Sequence, residues 1–162
     1  MWGIFKVAVA TLDFAGGLKL TRALQTMAGR LGTATRVNVG FLEGATYPAT
    51  SKRKQTLNVA TVAFWNEFGR TGQVPRPFFR NMIHAKSPTW GRALAKNLVA
   101  THYDAHRTLN LMGAGVKDQL VSSINAFTSP ALKASTIRRK GFAKPLIDTA
   151  LMLNSAGYAV QS

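Results

Sequence analysis

The sequence contains no cysteine and only six acidic residues among 162. Without cysteine the chain can form neither disulfides nor thiolate metal sites, which is typical of a protein made in a reducing cytoplasm. With so few acids, a pair of carboxylates tuned for acid–base catalysis is not expected. Residues 1–17 hold one lysine and an apolar run broken by Asp13, too short for a signal peptide or a membrane span. We therefore expect no membrane contact and no redox role.

Positive charge dominates the rest of the composition. The 21 lysines and arginines against six acids give a net charge of +15. A field of this sign repels other copies of the chain and attracts polyanions, so the expected partner is nucleic acid, an anionic surface or an acidic protein. The basic residues occur in short groups, which indicates a charged face of a folded body. The residues predicted for this face are Lys52, Arg53, Lys54, Lys133, Arg138, Arg139, Lys140 and Lys144.

Hydrophobic periodicity predicts a mixture of strands and helices. Apolar residues alternate with others in residues 5–11 and 35–44, and more briefly near 158–160, as in half-buried strands. Steps of three or four residues predict helices over 18–31 and 57–69. The length suits one domain. We therefore predict a single α+β domain over residues 1–162, with a small mixed sheet packed against helices.

The strongest periodic signal predicts one long helix over residues 94–124 or, equally, a helix that kinks or divides at Gly113 and Gly115. Basic, loop-like composition marks residues 45–56 and 128–144. A short helix is expected to begin at Pro145, ahead of the last strand.

Motifs for catalysis or metal binding are weak. His102 and His106 are spaced to share one helical face, but no third ligand is evident, so a hydrogen-bonded structural histidine is the simpler interpretation. Residues 113–117, "GAGVK", lack the glycine spacing and the Lys-Ser/Thr pair of a phosphate loop. We predict no enzyme activity, no cofactor and no metal.

The stretch "VAFWNEFGRTGQVPRPFFR", residues 62–80, combines aromatic residues, a Gly/Pro turn, three arginines and one acid. Glu67 could act as a general base, but an ion pair with Arg76 or Arg80 that fixes the turn is the simpler hypothesis. The segment is thus predicted to be a structural clamp or a subunit interface, in which Gly69 is the C-cap of the preceding helix and the phenylalanines pack against the core. The residues assigned to it are Trp65, Asn66, Glu67, Phe68, Gly69, Arg76, Pro77, Phe78 and Arg80.

The same stretch resembles the signature VA-x-x-(H/N)-E-F-G followed by (I/V)-P-x-R-P-F-x-R of a family of neck and tail-completion proteins of long-tailed bacteriophages. A second, later pattern of that family is matched in order, and Ala150 departs from it where the family has glycine. The resemblance covers roughly residues 60 to 160. The later match comprises Leu132, Thr136, Ile137, Arg139, Lys140, Pro145, Leu146, Ile147, Asp148 and Thr149.

The resemblance implies a non-enzymatic virion protein at the head–tail junction, made in the host cytoplasm. It implies a ring of this chain, with a hexamer favoured and a dodecamer as the alternative, joined to other neck, connector or tail-terminator proteins. In such a ring the basic face would meet either double-stranded DNA, without reading its sequence, or an acidic partner ring. The alternative from another class is a nucleic-acid-binding protein that works alone and without sequence specificity.

Overall fold

The computed structural model describes residues 17–41, 44–49, 54–147 and 150–162, and these ranges contain both helices and strands. The predicted α+β class is confirmed. None of the helices in these ranges is long and apolar enough to cross a membrane. The elements are α1 Gly17–Leu31, β1 Arg36–Phe41, β2 Thr46–Tyr47, β3 Leu57–Asn58, α2 Val59–Phe68, α3 Phe78–Ala100, α4 Ala105–Ala126, α5 Ala134–Lys140, α6 Leu151–Asn154 and β4 Ala156–Gln161.

The strands of the described residues form two separate antiparallel pairs instead of the one mixed sheet predicted. β1 pairs with β4 in a register that runs from Arg36 opposite Gln161 to Phe41 opposite Ala156. The short strands β2 and β3 form the second pair. The strand predicted over residues 5–11 lies outside the described residues.

The core lies where α4 packs against α3 on one side and against the β1–β4 pair on the other. α4 supplies apolar side chains at steps of four residues, as a helix buried along one stripe requires. The start of α3 and the buried face of α2 close this core from one end. Its buried members are Val59, Ala63, Phe78, Met82, Val116, Leu120, Ile124, Leu146 and Met152.

The single long helix predicted over residues 94–124 is wrong. The chain leaves α3 at Ala100 and enters α4 at Ala105, and both His102 and Tyr103 adopt a left-handed backbone conformation between them. Asp104 then caps α4, because its side chain accepts a hydrogen bond from the amide of Arg107 at 2.9 Å. The division therefore falls at a capped turn ten residues before the predicted glycines.

Gly113 has a packing role instead of marking a kink. α4 continues through it, and a Cβ atom added there would lie 2.8 Å from Cγ2 of Val37 and would overlap the ring of Tyr158. No methyl group fits at these distances, so the glycine lets the β1–β4 pair lie directly against the helix. A Cβ atom added at Gly115, two residues further along, would meet no other atom within 4 Å, so Gly115 has no such role.

Three further expectations need correction. The predicted loop over residues 45–56 contains β2, and the predicted loop over 128–144 contains α5, which ends at Gly141 in a left-handed conformation. The helix expected to begin at Pro145 begins at Leu151. Pro145 and Leu146 precede it without helical structure, and Leu146 is buried in the core.

Candidate functional site

The predicted clamp is a helix–turn–helix unit formed by α2, the turn of residues 69–77 and the start of α3. α2 begins at a side-chain cap, since Oδ1 of Asn58 accepts a hydrogen bond from the amide of Ala60 at 2.9 Å. Its buried residues are Val59, Ala63 and Glu67, spaced four apart on one face. This spacing places Glu67 in the last turn of α2, where the residue is only 4% exposed.

The Glu67 carboxylate caps the N-terminus of α3. Its Oε2 accepts a hydrogen bond from the amide of Phe79 at 2.9 Å, and its Oε1 accepts one from the amide of Arg80 at 3.1 Å. These are first-turn amides, which have no acceptor within the helix, and a negative charge at this end is favoured by the helix dipole. A side chain from the preceding helix thus performs the function of a local cap.

The other first-turn amides are also satisfied. The amide of Phe78 donates to the carbonyl of Arg76 at 2.8 Å, with Pro77 at φ −77° and ψ 61° between them, which is an inverse γ-turn. The amide of Asn81 donates to the carbonyl of Pro77 at 3.1 Å. The N-terminus of α3 therefore begins in the protein interior without an unpaired backbone donor.

Arg80 completes the site from the solvent side. Its Nε lies 2.8 Å from Oε1 of Glu67, and its Nη2 donates to the Glu67 carbonyl at 3.0 Å. Its guanidinium carbon lies 4.7 Å from the ring centre of Phe68. The predicted pairing of Glu67 with one of two arginines is confirmed for Arg80, whereas Arg76 makes no ion pair in the part of the chain that the structure describes.

The turn is tied back to α2 by polar contacts. The backbones of Arg70 and Gln73 bond to each other at 3.2 and 2.8 Å. The Gln73 side-chain amide donates to Oδ1 of Asn66 at 3.0 Å, and the carbonyl of Asn66 accepts from the amide of Arg76 at 2.6 Å. The guanidinium of Arg70 also lies 4.5 Å from the ring centre of Trp65. Contacts within the turn and with α2 therefore hold the turn in one shape.

Gly69 is required at the first position of the turn. It ends α2 with φ 79°, a left-handed value that is strained for other residues. A Cβ atom there would lie 2.9 Å from the carbonyl oxygen of Gln73 and from Cγ of Pro75. The prediction that Gly69 is the C-cap is confirmed.

The aromatic residues divide into anchors and exposed groups. Phe78 is 1% exposed and meets Phe41 edge to face, with 6.2 Å between ring centres, so it anchors the unit in the core as predicted. Phe64 and Phe68 are 58% and 51% exposed, with their rings 4.7 Å apart. The expectation that Phe68 is packed in the interior is wrong. These two residues form an apolar surface, here called the phenylalanine patch.

The phenylalanine patch was missed from the sequence, although a signal exists. Phe64 and Phe68 are four residues apart, and each follows by one position a member of the buried face of α2. Two aromatic residues on a separate stripe of a short helix indicate a second surface. A cavity of about 200 Å³ lies beside the patch, between β1, α2 and the start of α3.

The predicted basic residues have different environments. Lys54, Lys133, Arg138, Arg139 and Lys144 are exposed, whereas Lys52 and Arg53 lie outside the described residues. Lys140 is half-buried, and its ammonium group donates to the carbonyls of Lys144 and Ile147 and lies over the ring of Phe142. Lys140 therefore holds the chain after α5 in place and does not belong to a freely solvated basic face.

The later matched segment is in part structural. Thr136 is half-buried within α5, Pro145 is half-buried, and Leu146 is 7% exposed in the core beside Met152. Asp148 and Thr149 lie outside the described residues. The segment that follows α5 is thus anchored in the interior through Leu146.

The two histidines do not form a metal site of the kind their spacing suggests. His102 lies in the connection before α4, with φ 52°, and His106 lies within α4, where its ring contacts the amide of Asn110 at 3.1 Å. They do not share a helix. Within the described ranges, no three residues among His, Asp and Glu come together as metal ligands.

Comparison with known proteins gives no relative: no family model, curated protein or solved structure matches the chain. The resemblance to phage neck proteins stays a prediction that depends on the two sequence segments.

The geometry predicts unequal roles for the two charges of the clamp. Glu67→Gln should lower the free energy of unfolding by about 2 to 3 kcal/mol, because charged hydrogen bonds to two backbone amides and to Arg80 are weakened in a buried position. Arg80→Ala should cost about 1 kcal/mol, because the Arg80 side chain is 54% exposed and its ion pair is screened by solvent. Urea unfolding of both variants measures the difference, and an Arg80→Ala cost equal to or above that of Glu67→Gln would contradict the capping role.

Proposed function

We propose that the protein is a structural component of the bacteriophage neck, a tail-completion protein that assembles as a ring and joins the tail to the head. It acts without catalysis. A hexamer is favoured and a dodecamer is the alternative, and its further partners are other neck, connector or tail-terminator proteins. One observation carries the proposal. The segment that resembles the phage family folds as a single rigid unit that holds an exposed apolar surface in a fixed position.

The construction of this unit supports an assembly role. Its polar groups are used internally, by the cap from Glu67 and the ties from Asn66 and Gln73. Its outer surface carries the phenylalanine patch, with Phe64 and Phe68 each more than half exposed. Exposed apolar groups that are held in one conformation lose little entropy on association, which favours a protein–protein contact.

A second apolar surface lies on α1, which has no buried residue. Its apolar side chains range from 37% to 78% exposed, with Lys19, Arg22 and Arg30 among them in the sequence. A helix that leaves its apolar side chains in water is completed by a partner. The members of this stripe, here called the α1 stripe, are Leu20, Leu24, Met27 and Leu31, whereas exposed Leu18 lies on the other side of the helix.

The two apolar surfaces lie at opposite ends of α3. The C-terminal end of α1 sits near the end of α3, where Nη1 of Arg30 donates to the carbonyl of His102 at 3.2 Å. The phenylalanine patch adjoins the start of α3, and 23 helical residues span roughly 35 Å. Two unlike surfaces far apart on one subunit suit a heterologous contact, which closes into a ring when each copy binds the next. In the proposed ring the α1 stripe of one copy covers the phenylalanine patch of its neighbour.

The basic surface suits a position on the path of the genome. Arg138 and Arg139 are exposed on α5, and the chain carries a net charge of +15. Repetition around a ring would multiply this charge and allow contact with the phosphates of double-stranded DNA without sequence readout. An acidic ring above or below is the other partner for such a face.

Head-to-tail assembly predicts a specific result when two defective variants are mixed. Phe64→Ser with Phe68→Ser removes one surface, and Leu20→Ser with Leu24→Ser removes the other, so each variant alone should remain a monomer. In the mixture, the intact α1 stripe of the first can bind the intact patch of the second, but neither pair can extend. Native mass spectrometry should therefore show rings for the unchanged protein, monomers for each variant and heterodimers for the mixture.

Circular dichroism of each variant provides the control, because all four side chains are exposed and their loss should leave the helical spectrum unchanged. Heterodimers are the distinguishing product, since a symmetric interface would pair each intact surface with its own copy. A mixture that contains only monomers beside a ring-forming parent would contradict the proposed contact.

Deletion of the gene from a phage that carries it tests the neck assignment itself. Filled heads and complete tails should accumulate separately, because the ring that joins them is missing. Complementation by the unchanged gene should restore joined virions, whereas the gene with Phe64→Ser and Phe68→Ser should not. Normal virions with a defect in genome handling would instead favour a nucleic-acid-binding protein that works alone.

A further inference from the structure

A cavity of about 240 Å³ lies between the clamp turn and the chain that leads into α5. Two cationic residues, Arg76 and Lys133, belong to its lining, together with Thr136 and the apolar side chains of Val74 and Leu132. The residues come from two segments more than fifty positions apart in the sequence. The cavity is therefore created by the tertiary fold and is distinct from the phenylalanine patch.

Arg76 is held in this cavity with an unused donor. Its backbone amide is bonded to the carbonyl of Asn66 at 2.6 Å, which fixes the residue at the end of the turn. The Nε of its side chain is buried and has no hydrogen-bond partner among the described residues. A buried, unpaired donor on a charged group is costly, so this guanidinium is one whose hydrogen bonds the described residues leave incomplete.

We propose that the cavity binds the carboxylate of an aspartate or glutamate side chain presented by a different protein. A guanidinium group binds a carboxylate through two parallel hydrogen bonds, and Lys133 adds a second positive charge in the lining. The apolar walls formed by Val74 and Leu132 suit the methylene groups that carry such a carboxylate.

A carboxylate suits the site better than a phosphate of duplex DNA does. The phosphates of a duplex lie along a wide, stiff helix, and basic side chains that contact them project into solvent. The charges of Arg76 and Lys133 line a recess of about 240 Å³ between two segments of the chain, which a stiff duplex does not enter. A side chain at the end of a flexible stem can enter a recess of this size.

The source of the carboxylate follows from the small number of acids in the chain. Three of the six acids lie in the described residues, and each already contacts a cation: Glu67 with Arg80, Asp104 with Arg107 and Asp118 with Lys117. A second copy of this chain therefore has at most three further acids to present, namely Asp13, Glu43 and Asp148. A different, acidic protein is the occupant that the charge balance favours, and only its identification as a neighbouring neck protein rests on the proposed function.

Nuclear magnetic resonance of the purified, ¹⁵N-labelled protein tests the site, because the Nε–H group of each arginine gives its own signal. The probe is the blocked peptide acetyl-Ala-Ala-Glu-Ala-Ala-amide, with the Gln peptide of the same sequence and inorganic phosphate as comparisons. The Glu peptide should shift the Arg76 Nε–H signal and the Thr136 amide signal in a saturable manner. The Gln peptide and phosphate should shift them little at equal concentration and ionic strength.

Arg76→Gln should weaken binding of the Glu peptide by about tenfold or more, as expected for loss of a charge-assisted hydrogen bond. Arg92→Gln is the matched control, since it removes the same charge from an exposed position on α3 and should leave the affinity unchanged. Lys133→Gln, at an exposed position, should weaken binding by a smaller factor and serves if Arg76→Gln does not fold.

Four results would overturn the proposal. They are an absence of saturable shifts, stronger binding of phosphate than of the Glu peptide, equal weakening by Arg92→Gln, and a displaced Arg76 Nε–H signal in Asp148→Asn without any peptide. The last result would mean that a carboxylate of the same chain fills the site. The peptide measurement uses the isolated protein, so a failure to bind the peptide would not affect the head–tail joining test. The accumulation of separate heads and tails in the deletion phage likewise does not depend on peptide binding.

Discussion

The buried carboxylate of Glu67 is the interaction on which the organisation of this protein depends. α3 begins with no polar side chain at its cap position and no acid in its first turn, yet its N-terminus is enclosed by the core. The carboxylate supplies acceptors for the amides of Phe79 and Arg80 from the preceding helix. The last turn of α2 and the first turn of α3 are thereby fixed relative to each other, and Phe78 is directed into the core between them.

This constraint explains how the protein can present apolar groups on its surface. Phe64 and Phe68 lie on the same helix as the capping acid, one position from its buried face. Their place on the surface is therefore set by the position of α2 and not by their own burial. Arg76 occupies the other end of the same turn and lines the cavity beside α5. One interaction thus places two unlike surfaces, an apolar patch suited to a second copy and a cationic recess suited to an acidic partner.

The sequence predicts those features that short-range patterns determine. α1, β1, α2, β4 and the Glu67–Arg80 pair follow from periodicity, cap residues and charge. The division between α3 and α4 does not follow from them. Apolar residues recur every three or four positions on both sides of the turn, and its left-handed backbone does not change the hydrophobic pattern. The packing role of Gly113 and the recess around Arg76 were also inaccessible, since each depends on a distant segment brought close by the fold. The exposure of Phe68 was misjudged because aromatic residues are buried more often than not.

Amide hydrogen exchange at the start of α3 tests the central role of the Glu67 carboxylate most directly. If the carboxylate caps the helix as the distances indicate, the amides of Phe79 and Arg80 are as strongly protected as the amide of buried Met82 one turn later, and Glu67→Gln lowers their protection more than that of Met82. Rapid exchange of both amides in the unchanged protein, at the rate of a frayed helix end, would contradict the account.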